Sequence, residues 1–213
     1  MKKIIFSIAL VFVSAMSFAQ SAYENVMAEK IAILDKTQTT DGYQTLYDDF
    51  VRIGSKEQKE WLPYYYAAYS ALQKGRLEMR NGITKDLDYY AGLGEKFAMV
   101  AESMNPSAEN QILLKMSYTL RMLVNPQERY MTYGKKAADA LAKAEKMDPK
   151  NPRITLLKAE DTYFTPAQFG GSKEKGLALF QKALEQYKTY KTTSSISPNW
   201  GKEEAEYFVT QKP

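Results

Sequence analysis

Apolar residues recur at three- and four-residue intervals along most of this chain, the period of an amphipathic helix. Over 21–36, Tyr23, Met27, Ile31 and Leu34 fall on one stripe. Asp41-x-x-Gln44 has the form of a capping box opening a second helix, with Tyr43, Leu46, Tyr47 and Phe50 inward and Gly54 at its end. Ser55-x-x-Gln58 has the same form. It predicts a third helix to about Lys74, with Trp61, Tyr65, Tyr69 and Leu72 on its stripe and Pro63 in its first turns. Gly75 to Gly82 reads as a connection. Further helices are predicted over about Lys85 to Met104, Ala108 to Leu123 and Pro126 to Met147, the last interrupted near Gly134. Others follow from Pro152 to Phe164 and from Ser172 to Tyr187, and a short one follows Trp200. No segment alternates as a strand would. The expected fold is all-α, about nine helices joined by short turns into antiparallel hairpins.

Two of these helices end alike. Ala101-Glu102-Ser103-Met104-Asn105-Pro106 is echoed by Ala144-Glu145-Lys146-Met147-Asp148-Pro149. Small residues precede each end at matching offsets: Gly94, Ala98 and Ala101 in the first, and Ala137, Leu141 and Ala144 in the second. Gly176, Phe180 and Ala183 form a third echo without the proline. Small residues let a helix approach its hairpin partner closely, and the large one fills the space beside it. The pattern resembles the second helix of a tetratricopeptide repeat, and Trp61, Tyr64, Tyr65 and Ala68 resemble a first helix. The echoes lie 43 and 39 residues apart, against a family period of about 34. The resemblance therefore implies a degenerate, tetratricopeptide-like α-hairpin solenoid over 20–213. As a whole, the chain resembles the small exported repeat proteins of Bacteroidetes-type bacteria.

The N-terminus stands apart. Lys2 and Lys3 precede an apolar run from Ile4 to Met16, and Ser17-Phe18-Ala19 offers small residues at a cleavage site. This is the form of a secretory signal peptide over 1–19, with no further transmembrane segment expected. No cysteine follows the run, so no lipid-modified N-terminus is expected. The expected location is the periplasm or the medium.

Composition narrows the chemistry. With no histidine and no cysteine, the chain has no disulfide, no His- or Cys-based metal site and no Ser-His or Cys-His pair. No metal or cofactor is expected. The net charge of +4 falls further without Lys2 and Lys3, which argues against a nucleic-acid partner. Asp48-Asp49, Asp86 with Asp88, Glu160-Asp161 and Glu203-Glu204 are acidic pairs, but adjacent helical residues do not face one another across a cleft. They read as solvated faces, and no enzyme is expected. Phe169-Gly170-Gly171-Ser172 reads as a tight turn before a Ser cap, with Phe169 docked between hairpins.

Sixteen tyrosines remain. Tyr64, Tyr65 and Tyr66 point about 100° apart on a helix, so one of them should leave the core, and Tyr66 is the candidate. The tetratricopeptide resemblance implies an inner groove at Lys59, Tyr66, Tyr69, Asn110, Ser117, Arg121, Arg153, Glu160 and Tyr163. The leading functional expectation is a non-enzymatic scaffold or adaptor holding a protein or peptide of the cell envelope. The alternative is a small-ligand or glycan binder using a tyrosine-rich groove.

Overall fold

The computed structural model describes residues 22–210. The expected signal peptide and its cleavage site lie outside them. The described residues form nine helices and one extra turn, with no strand among them: α1 (22–34), α2 (Thr40–Lys56), α3 (Leu62–Arg80), α4 (Leu87–Met104), α5 (Ala108–Val124), the single turn α6 (Pro126–Arg129), α7 (Lys135–Met147), α8 (Pro152–Phe164), α9 (Lys173–Thr189) and α10 (Lys202–Thr210). A π-helical turn, Tyr130–Gly134, joins α6 to α7 and is the interruption expected near Gly134.

Antiparallel neighbours pack in chain order, from α2 on α3 to α9 on α10, and the hairpins stack as a solenoid. One continuous apolar cluster runs from Tyr23 in α1 to Ala205 in α10. The small residues of the twin helix ends sit where expected. Ala98, Ala101 and Ala144 are sealed inside, and a Cβ on Gly94 would lie 2.6 Å from Leu72. Gly176 meets Tyr163 just as closely, so α9 crosses α8 nearly backbone to backbone.

Several boundaries differ from the sequence expectation. The α2 cap is Thr39, whose hydroxyl accepts from the Gly42 amide, two residues before the predicted Asp41. Ser55 caps nothing. It lies inside α2, with its hydroxyl donating to the Arg52 carbonyl. Gly54 does not end α2, because the Tyr64 ring covers it and the Tyr64 hydroxyl donates to its carbonyl. Gly75 continues α3, since its missing side chain makes room for Leu120 and Tyr90. The real stop is Gly82, at φ 78°. Both glycines looked like punctuation and serve as close-packing positions.

Three helices turn side chains toward one another across the inside of the solenoid. The Tyr65 hydroxyl on α3 donates to Glu109 on α5 (3.2 Å). Glu109 accepts from Arg153 on α8, whose guanidinium is 1% exposed and lies over the rings of Tyr190 and Trp200. Lys115 on α5 pairs with Asp161 on α8 at 2.7 Å. The segment 190–201 then enters this inner face. Trp200 stacks on Tyr69 (centroids 4.6 Å) and donates its indole N–H to the Tyr65 hydroxyl at 2.8 Å. The Ile196 carbonyl accepts from the Tyr66 hydroxyl at 2.9 Å. The inner side of α3 is thereby closed by the chain's own C-terminal segment.

Candidate functional site

The closure fixes where each expected groove residue lies. Tyr66 is 1% exposed, stacked on Phe50 and tied to Ile196, so the tyrosine expected to leave the core is inside it. Tyr64 is the one turned outward, partly buried against Gly54. Tyr69 lies under Trp200. Asn110 is buried, and its amide donates to the Asn105 carbonyl. Ser117 is buried against its own helix, donating to Leu113. Arg153 is buried on Glu109. Arg121 points elsewhere, to Glu95 and the Tyr133 ring, and Lys59 is exposed between α2 and α3. The five buried ones, Tyr66, Tyr69, Asn110, Ser117 and Arg153, line no open groove. Glu160 and Tyr163 lie one turn apart near the C-terminal end of α8, Glu160 on Arg76 and Tyr163 against Phe164.

That end is built from a sequence echo the spacing analysis missed. Glu160-x-x-Tyr163-Phe164 on α8 repeats as Glu204-x-x-Tyr207-Phe208 on α10. A Glu and a Phe four residues apart share one helical face. The two copies meet face to face. Arg76 of α3 reaches both carboxylates, Glu160 at 3.1 Å and Glu204 at 2.7 Å. One turn further along, Phe164 contacts Phe208 edge-on with centroids 5.6 Å apart. One arginine thus clamps the two helices at their glutamates and holds their aromatic ends together.

The electrostatics of the clamp follow from its burial. Desolvation lifts the Glu160 carboxyl above its ordinary range, Arg76 opposes that lift without cancelling it, and Glu204 adds to it. Desolvation pulls the Arg76 guanidinium the other way, but the two carboxylates more than offset it and the group stays firmly charged. Lys115 lends a second positive charge beside Glu160.

Above the clamp lies a platform of five rings. Phe208 stacks on buried Phe180 (4.4 Å), with Tyr163 at 5.3 Å, Phe164 at 5.6 Å and Tyr207 at 5.4 Å around it. Phe164 is 64% exposed and Tyr207 58%. Adjoining apolar side chains left open to water are a candidate binding surface. The local backbone explains why Phe164 stays out. Pro166 holds Thr165 extended and ends α8. The turn then doubles back so tightly that a Cβ on Gly171 would lie 1.7 Å from the Thr165 carbonyl oxygen. The Ser172 hydroxyl accepts from the Lys175 amide and caps α9 as expected. Phe169 is exposed rather than docked between hairpins. At the platform edge, the Lys173 ammonium sits 5.9 Å from the Tyr163 ring.

The exposed Phe164 and Tyr207 rings can contact an apolar ligand. Aromatic contacts are each worth roughly 0.5–1.5 kcal/mol beyond area burial. The platform's oxygen and nitrogen groups are Tyr163, Tyr207 and Lys173. No group of three or more acidic side chains among the described residues could hold a metal ion.

No protein-family model matches the chain, and no curated protein does. A solved structure does: the HusA haemophore from Porphyromonas gingivalis, 34% identical, over 88% of this chain and 91% of that one, with a TM-score of 0.76. At that identity and coverage, this chain belongs to the family of the HusA haemophore.

Proposed function

We propose that this chain is an exported, non-enzymatic binder of haem or a related tetrapyrrole. The observation that carries this reading is its identity with a haemophore along nearly its whole length. The five-ring platform supports it, since a tetrapyrrole is a large flat apolar ring and Phe164 and Tyr207 offer open aromatic faces. A small-ligand reading also suits the closed inner face better than a peptide adaptor does. The inner surface on which an extended segment would lie is occupied by Ile196 and Trp200.

The donor set fits a particular mode of binding. Without histidine or cysteine, an iron ligand would have to be a tyrosine oxygen, a methionine sulfur or a carboxylate. Tyr163 and Tyr207 stand at the platform and could serve. Stacking needs no metal, so the proposal places the affinity chiefly on the ring. An export signal over 1–19 and a place in the envelope or the medium complete the proposal.

Absorption titration of the 20–213 chain with iron(III) protoporphyrin tests it. A saturable shift of the porphyrin band at one site is expected. A spectrum identical to the ligand free in buffer would overturn the proposal.

A further inference from the structure

Resting on the tetrapyrrole reading, we infer that the ligand lies on the Phe164–Phe208–Tyr207 face and is recognised by a carboxylate that it gives to Lys173. The ligand class is thereby narrowed to planar aromatic rings bearing an acidic side arm.

Three observations carry the inference. The first is the doubled Glu-x-x-Tyr-Phe segment, which sets two exposed rings, Phe164 from α8 and Tyr207 from α10, edge-on against the same Phe208. The Glu160–Arg76–Glu204 clamp fixes both helices beneath it, so the face is set before anything binds. A ready-made face spares the cost of ordering side chains on binding.

The second is the state of Lys173. It lies beside Tyr163, whose ring is 5.1 Å from Phe164 and 5.3 Å from Phe208, so the ammonium borders the same ring cluster. It has no carboxylate partner among the described residues, whereas Arg76, Lys115 and Arg153 each have one. The third is the charge balance around the rings. Glu160 and Glu204 are both held by Arg76, and Glu206 beside Tyr207 is paired with Lys202, so neither Arg76 nor Lys202 is as free as Lys173 to meet an anionic ligand. A flat ring on the platform with an anionic arm toward Lys173 pairs apolar with apolar and minus with plus.

The test uses metal-free protoporphyrin, which carries two carboxylates, and its uncharged dimethyl ester. Titrations are followed by porphyrin absorption and fluorescence. Wild type is expected to bind the diacid more tightly than the ester. Phe164→Ser and Tyr207→Ser, at exposed positions that leave the fold intact, are expected to weaken both ligands. Lys173→Gln is expected to weaken the diacid several-fold, and Lys173→Glu by about tenfold, with the ester unchanged. Diacid and ester responding alike to Lys173→Glu would overturn the carboxylate contact. Undiminished binding in Phe164→Ser and Tyr207→Ser would overturn the location while leaving the tetrapyrrole reading standing. If wild type binds neither porphyrin, this inference fails, and the tetrapyrrole reading fails with it only if iron(III) protoporphyrin does not bind either. Sedimentation of wild type should show a monomer. A dimer dissolved by Phe164→Ser would assign the face to a second copy and overturn the inference.

Discussion

Single side chains on the inside of this molecule carry more charge than a helical core usually holds. Arg153 and Glu109 are the extreme case, a guanidinium held among aromatic rings by a carboxylate 44 residues away. Replacing Arg153 by Met removes one partner and leaves Glu109 part-buried with Asn151 and Tyr65 as its remaining donors. Breaking such a pair costs about 3–5 kcal/mol, and thermal unfolding should show it. Glu160 makes a prediction in pH. Its carboxyl binds a proton more tightly in the folded chain than in the unfolded one. Its contribution to stability is therefore fullest below the ordinary value of 4.5 and is lost as pH rises through the higher folded pKa. Glu160→Gln cannot titrate. The melting temperature of wild type relative to that variant should rise as pH falls from neutral toward 4.5, and a difference that falls instead would contradict the assignment. None of this was legible from sequence. The partners of Arg153 and Glu160 come from helices far away in the chain, and helical spacing says nothing of them.

At the scale of elements, local signals did well and punctuation did badly. The small residues before the twin helix ends marked real close approaches, because a hairpin contact depends on side-chain volume at fixed offsets within one helix. Gly54 and Gly75 misled because the same lack of volume serves packing as well as turning. The Glu-x-x-Tyr-Phe echo was in the chain all along. It escaped because its second copy falls in a short C-terminal helix outside the hairpin pattern. Gly176 is the element-scale prediction. A Cβ there would press 2.6 Å from Tyr163 Cβ, with Tyr163 backbone atoms close behind and no flexible end to yield. Gly176→Ala should destabilise by about 1–3 kcal/mol through overpacking. It should also weaken porphyrin binding by moving Tyr163, and an unchanged melting temperature would deny the close crossing.

The molecule as a whole is an α-hairpin solenoid that closes on itself. The tetratricopeptide resemblance led to an open inner groove, and the reason it failed here is physical. A repeat pattern describes each hairpin and its neighbour, while closure depends on residues 190–201 folding back across the inner face. Trp200 is the keystone of that closure, bonded to Tyr65 and Tyr187 and stacked on Tyr69. Trp200→Ala should cost about 3–5 kcal/mol. It should also speed amide exchange throughout α10, which carries Tyr207 and Phe208 of the aromatic platform. Slow exchange retained over 202–210 would show that α10 is held without it.

In the proposed complex the ring, rather than a metal bond, is the main source of affinity. Parallel titrations of the 20–213 chain with iron(III) protoporphyrin and with metal-free protoporphyrin test this most directly. Both are expected to saturate one site with affinities within about tenfold of each other, a difference of about 1.4 kcal/mol. Binding that appears only with iron, or with neither ring, would contradict it.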